Sequence, residues 1–167
     1  MTDRPTAAPI FDDPAALIPL LRPGAQAAGL DVGDRTLGVA VSDGALMLAS
    51  ALGTVRRRKF GRDVQALFDL LGARDVGAWV IGLPVNMDGT EGPQAQSVRA
   101  FARHFARLTS APITLWDERL SSIAAERMLL AADVSRRKRA EVIDHVAAAH
   151  ILQGALDRMA AARRDRA

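Results

Sequence analysis

The hydrophobic positions in the first part of the chain form the short apolar runs that are typical of β-strands. The runs "GLDV" and "LGVAVS" stand on either side of "GDRT", a break rich in turn-forming residues. A longer and looser run, "LMLASALGTV", predicts a third strand. Three consecutive strands argue against a plain doubly wound Rossmann fold, in which helices separate the strands.

The period then changes, and helices alternate with strands along the rest of the chain. In "RDVQALFDLLGAR" the apolar residues recur at helical spacing, and Gly72 offers a stop. The compact apolar runs "AWVIGLP" and "ITLWDE" predict two further strands. Other helices are predicted to begin at Pro93, at Ser121 or Ser122 as N-cap, and near Ala140.

This order, β-β-β-α-β-α-β-α closed by a further helix, predicts an α/β fold with one mixed five-stranded sheet. The first three strands supply an antiparallel part, and the alternating part adds parallel strands. Right-handed crossovers then place helices on both faces of the sheet. We expect one domain over residues 28–160, a basic tail at 161–167, and a partly flexible N-terminal extension at 1–27 with a short helix at Asp13–Leu21.

Composition narrows the classes of function. The chain has 167 residues, enough for one domain with a real core, and no cysteine. Without cysteine there is no disulfide framework, zinc–thiolate site or thiol nucleophile. Charges interrupt every apolar stretch, and the N-terminus lacks the basic region and apolar core of a secretory signal. We therefore expect a cytoplasmic protein that does not contact a membrane.

Arginine dominates the positive charge, although the net charge is only +3. Arg56–Lys59 form one basic run and Arg136–Arg139 form another. Arginine binds phosphate in a bidentate manner, which makes these runs candidates for nucleic-acid contact, with solvated loops as the alternative. The residues selected from them are Arg57, Arg58, Arg137 and Lys138.

A carboxylate, Asp31, lies inside the first predicted strand, where charged side chains are rare unless they have a partner. Side chains alternate along a strand, so Asp31 shares its face with Gly29 and Gly33. These glycines, together with Gly38 on the next strand, leave room for a metal or a phosphate to approach. A solvated acid in a turn is the alternative.

Two later segments add further acids. Asp117 and Glu118 alternate between faces near the end of a strand, and ligands of open sheets collect beyond the carboxyl ends of parallel strands. One of them could point into a site there, with Arg119 nearby to meet a phosphate. Asp144 stands at the head of an apolar helical stripe, and Ala148 in that stripe would let the helix sit close to the sheet. A salt-bridged strand end and an acid favoured by the helix dipole are the alternatives.

The remaining polar features are weaker signals. Asn86, in the loop "GLPVNMDGTEGP", could approach a substrate or merely make a turn, and the loop lacks the Gly-Lys-Ser/Thr ending of a phosphate-binding loop. His145 and His150 do not share a helix face, which favours surface or hydrogen-bonded helical histidines. The three carboxylate positions together suit Mg²⁺ or Mn²⁺, and two such ions about 4 Å apart can promote phosphodiester cleavage.

Four stretches in this order resemble a known family: "LDVGDRTLGVAVSD", "VIGLPVNMDGTEGPQAQSVRAFA", "WDERLSSIAA" and "IDHVAAAHIL". From about Gly29 to Asp157 the chain resembles the YqgF family, also called the RuvX-type Holliday junction resolvases or pre-16S rRNA nucleases. The resemblance implies a ribonuclease H-like fold. It also implies a metal-dependent nuclease of the cytoplasm that acts in ribosomal RNA maturation or on branched DNA.

Carried over by motif position, the resemblance implies that Asp31, Glu118 and Asp144 are catalytic acids that bind Mg²⁺ or Mn²⁺. Asp117 and Arg119 belong to the same motif, and the choice between Asp117 and Glu118 as direct ligand stays open. The implied partner is nucleic acid, either precursor rRNA or branched DNA. Symmetric cutting of a DNA junction would call for a homodimer.

Two other classes of protein remain as alternatives. One is a non-catalytic RNA-binding factor of ribosome assembly on the same fold. The other is an ATP-binding protein of the actin and sugar-kinase class, although those proteins close two such domains around the nucleotide. The presence of all three acids favours the nuclease.

Overall fold

The computed structural model describes residues 6–120 and 136–167, with the backbone alone for residue 120 and for residues 136–144. Its strands are β1 (Ile10–Phe11), β2 (Gln26–Val32), β3 (Thr36–Ser42), β4 (Ala49–Arg56), β5 (Val76–Leu83) and β6 (Ile113–Asp117). Its α-helices are α1 (Phe60–Leu71), α2 (Pro93–Phe105) and α3 (Arg136–Asp165). Two short 3₁₀ helices occupy Pro14–Leu20 and Glu118–Leu120. None of the helices in these ranges is long and apolar enough to cross a membrane.

The strands form one mixed sheet in the order β1-β6-β5-β2-β3-β4. Strands β2, β3 and β4 form an antiparallel meander, whereas β2, β5, β6 and β1 run parallel to one another. The predicted combination of an antiparallel meander with parallel strands is therefore confirmed. It brings the carboxyl ends of β2, β5 and β6 to one edge of the sheet.

Helices cover both faces of the sheet, as predicted. On one face α1 and α2 bury their apolar sides together with an aromatic group, in which the Trp79 ring makes T-shaped contacts with Phe68 and Phe105. On the other face α3 and the first 3₁₀ helix pack over small strand residues such as Ala27, Ala40 and Ala78. Small side chains on this second face allow α3 to lie close to the strands.

The prediction of five strands is wrong by one, because the N-terminal extension contributes β1 to the edge of the sheet. The Ile113 amide donates to the Pro9 carbonyl (2.9 Å), and the Ala8 amide donates to the Ala106 carbonyl (2.7 Å). Leu17, in the predicted short helix, is fully buried against α3. A two-residue strand and a 3₁₀ helix carry no hydrophobic period, which is why the pattern suggested a separate segment.

The C-terminal boundary also needs correction. Residues 161–165, assigned to a basic tail, continue α3 as far as Asp165, because Met159 and Ala162 are buried and extend the helix's apolar face. Helix α3 already includes Arg136, four residues before the predicted start at Ala140. The helix predicted over 121–132, with its N-cap at Ser121 or Ser122, lies outside the described residues.

Candidate active site

Two of the predicted acids meet at the carboxyl edge of the sheet. Asp31 is the next-to-last residue of β2, and Glu118 directly follows β6. Their side chains share a hydrogen bond, so one of the two carboxyl groups carries a proton when both approach without a cation. On the other side of Asp31, Gly38 is its cross-strand partner and brings no side chain. Gly29 faces α3, the same side on which Glu118 lies, whereas Gly33 follows the end of β2.

Burial sets the acidity of Glu118. Desolvation raises the pKa of its carboxyl above the ordinary value, and the negative charge of Asp117 raises it further. The hydrogen bond with Asp31 acts in the opposite direction and is weaker than the effect of desolvation. Glu118 therefore resists ionisation unless a positive charge lies nearby, which is the behaviour expected of a buried carboxyl group that binds a cation.

Gly82 on β5 makes room for Glu118. A Cβ atom built at Gly82 would lie 2.5 Å from Glu118 Oε1 and 2.5 Å from Ile151 Cδ1. Any side chain at this position would therefore displace the Glu118 carboxyl group or the α3 residue above it. The glycine lies in register with Trp116, two residues before Glu118, so it belongs to the same face of the sheet.

Asp117 points to the opposite face and has a different partner. It lies in register with Leu83, whose side chain is in the core under α1 and α2. The Arg119 guanidinium donates to Asp117 Oδ2 from Nε (2.9 Å) and Nη2 (2.6 Å). This bidentate pair lowers the pKa of Asp117 and raises that of Arg119. The structure thus brings Glu118, and not Asp117, together with Asp31.

Arg119 also reaches the predicted loop residue Asn86. Its Nη1 atom lies 3.4 Å from the Asn86 carbonyl oxygen, and the Asn86 amide group itself donates to the Thr90 hydroxyl. Asn86 is exposed and helps to close the turn in which Gly89 has φ +88°. Arg119 therefore links the end of β6 to the loop that follows β5.

Helix α3 places position 144 at the same end of the sheet. Gly29 on β2 is so close to the helix that a Cβ atom there would lie 2.9 Å from the Ala148 carbonyl oxygen. One turn earlier, His145 Nδ1 contacts the Thr54 hydroxyl (3.1 Å), and Thr54 is in register with Gly38 beside Asp31. The expectation that His145 is hydrogen-bonded is confirmed, whereas the Asp144 side chain lies outside the described set.

Arg57, a predicted phosphate ligand, is instead held within the fold. Its Nη1 atom donates to the Gly33 carbonyl (2.6 Å), its guanidinium lies 5.7 Å from the centre of the Phe101 ring, and Nε is 3.8 Å from buried Asp63. Gly33 is two residues after Asp31, so Arg57 fixes the turn next to the site. This structural role of Arg57 could not be predicted from the sequence, because Arg57 is one of four consecutive cations that the pattern does not distinguish.

The other predicted basic residues divide in two. Arg58 is exposed, and its side chain has no hydrogen-bond or ion-pair partner among the described residues. Arg137 and Lys138 lie in the first turn of α3, with side chains outside the described part of the chain. Among the side chains that the structure describes, no three His, Asp or Glu residues form a metal-binding group. The third predicted acid, Asp144, is not among those side chains.

The chain matches a known protein family over most of its length. The family model described as "RuvX: Holliday junction resolvase" matches residues 25–158. The chain belongs to the RuvX family. This result confirms the resemblance that the four sequence stretches indicated, and it spans the two meeting carboxyl groups and the backbone of position 144.

Curated relatives of this RuvX-family chain cover nearly its full length. A protein of Rhodobacter capsulatus named "Putative pre-16S rRNA nuclease" is 58% identical over 152 residues, which are 91% of this chain and 94% of that one. A protein of Paracoccus denitrificans with the same name is 61% identical over 140 residues, 84% and 88% of the two chains.

A solved structure supports the fold. RuvC of T. thermophilus, in complex with a Holliday junction substrate, superposes with a TM-score of 0.50 at 18% identity, over 81% of this chain and 96% of that chain. The predicted ribonuclease H-like architecture is therefore confirmed, with one additional edge strand.

Proposed function

We propose that this RuvX-family chain is a metal-dependent nuclease that cleaves phosphodiester bonds, with the precursor of 16S rRNA as its substrate in the cytoplasm. The observation that carries the proposal is the contact between Asp31 and Glu118 at the carboxyl edge of parallel strands, where open sheets bind their ligands. The names of the relatives support the choice of substrate.

The residues present fit a divalent cation. Two carboxyl groups share one hydrogen bond, and burial disfavours the ionised form of Glu118, so a bound cation would supply the missing positive charge. Asp31, Glu118 and Asp144 would hold Mg²⁺ or Mn²⁺, which prefer oxygen ligands of this kind. Such an ion polarises a phosphoryl oxygen and lowers the pKa of its bound water.

The chain's own groups then orient the substrate. Arg119 is held by Asp117 and by the Asn86 carbonyl, so its guanidinium is fixed between the end of β6 and the loop that follows β5. In that position it can donate to a phosphate oxygen of a strand that crosses this end of the sheet. Arg57 keeps the Gly33 turn in place, which fixes the chain directly after the end of β2 and thus close to Asp31.

Branched DNA is the second candidate substrate. The description of the matching family as Holliday junction resolvase favours it, and symmetric cutting would then require two copies of the chain. A side-by-side assay with precursor 16S rRNA and a four-way DNA junction, in Mg²⁺ or Mn²⁺, distinguishes the two. Cleavage of the RNA with an intact junction supports the first substrate, and the reverse supports the second.

Asp31→Asn tests the proposal itself. The substitution keeps the shape of the side chain and removes its charge, so cleavage of every substrate should be abolished while the fold remains. Because the variant no longer holds two acids against each other, its metal-free form should be at least as stable as the parent protein. Mg²⁺ should then stabilise the parent protein more than the variant, through mass action on the folded state.

A matched control is Asp69→Asn, which removes the same charge from an exposed position on α1. This variant should cleave normally and gain the same stability from Mg²⁺ as the parent protein. Normal cleavage by Asp31→Asn would refute the metal-site assignment. Binding of precursor RNA with no cleavage by any form of the protein would favour the assembly-factor alternative.

A further inference from the structure

Five exposed cations gather next to the candidate active site, and none of their side chains has a hydrogen-bond or ion-pair partner among the described residues. This group, called here the basic surface, consists of Arg35, Arg56, Arg58, Lys59 and Arg62. Its members come from the β2–β3 turn, the end of β4 and the start of α1. The Arg57 amide joins the first two segments by donating to the Arg35 carbonyl (2.8 Å).

The register of the sheet places the basic surface near the carboxyl groups. Asp31 is paired with Gly38, and Gly38 with Thr54, two residues before Arg56. Two strand spacings correspond to roughly 10 Å across the sheet. This distance exceeds the Debye length of about 8 Å at physiological salt, so these cations would act on a bound strand through direct contact with its phosphates and not through their long-range field.

The other flank of the site offers less free positive charge. There Arg119 is paired with Asp117, and Arg99 forms a bidentate pair with Glu91. On the basic surface, by contrast, the adjoining exposed acid is Asp34. The site is therefore asymmetric in the described part of the chain, with unpaired cations on the β4–α1 side.

The placement of these cations does not favour the stability of the fold. Buried Asp63 occupies the start of α1 and accepts from the Arg58 amide (2.7 Å), as the positive end of the helix dipole favours. Lys59, the N-cap residue, and Arg62 add positive charge at the same end, where the dipole disfavours it. Like charges on neighbouring exposed positions also repel one another. An arrangement that adds cations to a helix N-terminus concentrates positive potential, which suits an anionic partner.

We propose that the basic surface binds the sugar–phosphate backbone of the nucleic acid on one side of the bond to be cut, so that the strand runs from Asp31 and Glu118 across the end of β4 to the start of α1. This inference rests on the proposed function and specifies how its substrate is held. Phosphate contacts of this kind position a strand without reading its sequence.

The test compares two double variants with equal changes of charge. Arg58→Gln with Arg62→Gln alters the basic surface, whereas Arg103→Gln with Arg107→Gln alters exposed residues at the far end of α2, near the start of β6. Binding of fluorescein-labelled single-stranded RNA is measured against salt concentration, with EDTA present so that no cleavage occurs. Thermal melting checks that both variants are folded.

For the first variant, the slope of log affinity against log salt should become shallower by roughly 1.4 if both side chains contact phosphates of single-stranded RNA. The control variant should keep the parent slope. Equal slopes for the parent and the first variant would overturn the proposal. Binding to vesicles that contain phosphatidylglycerol is measured in parallel. If the first variant lost vesicle binding but kept the parent's RNA binding, the proposal would also be overturned, because the surface would then serve a membrane.

Cleavage is measured separately, so the two proposals can fail independently. If the parent protein cleaves RNA and the slope does not change, the basic surface is wrongly assigned and the nuclease proposal stands. If the slope changes but no metal supports cleavage, the surface is correctly assigned and the nuclease proposal fails.

Discussion

Gly82→Ala should separate the activity of this protein from its stability. The added methyl group would lie 2.5 Å from Glu118 Oε1, 2.9 Å from Glu118 Cγ and 2.5 Å from Ile151 Cδ1. Favourable contacts between non-bonded heavy atoms lie near 3.5–4.0 Å, so the Glu118 carboxyl group has to move by about 1 Å. The substitution thus displaces a candidate metal ligand without changing its chemistry.

The expected costs differ for stability and catalysis. The closest atoms belong to the far ends of two flexible side chains, so the loss in free energy of unfolding should stay near the lower end of the range for overpacking, about 1 kcal/mol. A misplacement of about 1 Å in a catalytic group can lower the rate on the order of 100-fold. The variant should therefore fold and cleave poorly.

The measurements are urea denaturation and cleavage of precursor 16S rRNA under saturating Mg²⁺. Gly53→Ala is the matched control, because a Cβ atom at Gly53 meets its nearest neighbours, the Leu70 methyl groups, at an ordinary 3.5 Å. That variant should keep full activity and gain up to about 1 kcal/mol, since alanine suits a strand better than glycine. If Gly82→Ala cleaved as fast as Gly53→Ala, the argument that Gly82 positions Glu118 would be refuted.

Three further variants test other parts of the structure. In urea titrations, Leu17→Ala should lower the free energy of unfolding by about 2–5 kcal/mol, because Leu17 is fully buried. Leu20→Ala, the control at a 47% exposed position, should change that free energy little. Arg57→Gln should lower that free energy by about 1–3 kcal/mol and leave the salt slope of RNA binding unchanged; a shallower slope would mean that Arg57 contacts phosphate. Glu118→Gln should stabilise the metal-free protein more at neutral pH than near pH 4.5. The reason is that burial raises the pKa of Glu118, so the folded state of the parent protein loses stability as this carboxyl group ionises with rising pH. An equal gain at both pH values in thermal melts would contradict that pKa shift.

The order of strands and helices could be predicted because most elements are long enough to show a period. The runs that became β2, β3 and β5 are apolar and bounded by turn residues, and α1 repeats its apolar residues at helical spacing. The segment around Leu17 shows no such period. Its burial depends on tertiary contact with α3, which no local pattern records.

The candidate site was predictable only up to the choice of face. Strand alternation places Asp117 and Glu118 on opposite sides, but the sequence does not say which side α3 covers. The register decides this, since Gly82 pairs with Trp116 on the α3 side and Leu83 pairs with Asp117 on the other. The role of Arg57 is likewise a tertiary property, because only the fold brings it to the Gly33 carbonyl.

Two glycines on the α3 face of the sheet act on the site in different ways. At Gly29 the nearest atoms are Leu152 Cβ and the Ala148 backbone carbonyl, at 2.7 and 2.9 Å, so this position limits how closely the whole helix can approach β2. At Gly82 the nearest atoms are side-chain termini, so this position affects the Glu118 carboxyl and not the helix axis. Position 144, one turn before Ala148, therefore depends on packing at Gly29, while Glu118 depends on packing at Gly82. The acids assigned to one metal site are placed by separate contacts, and a defect in either contact is enough to separate them.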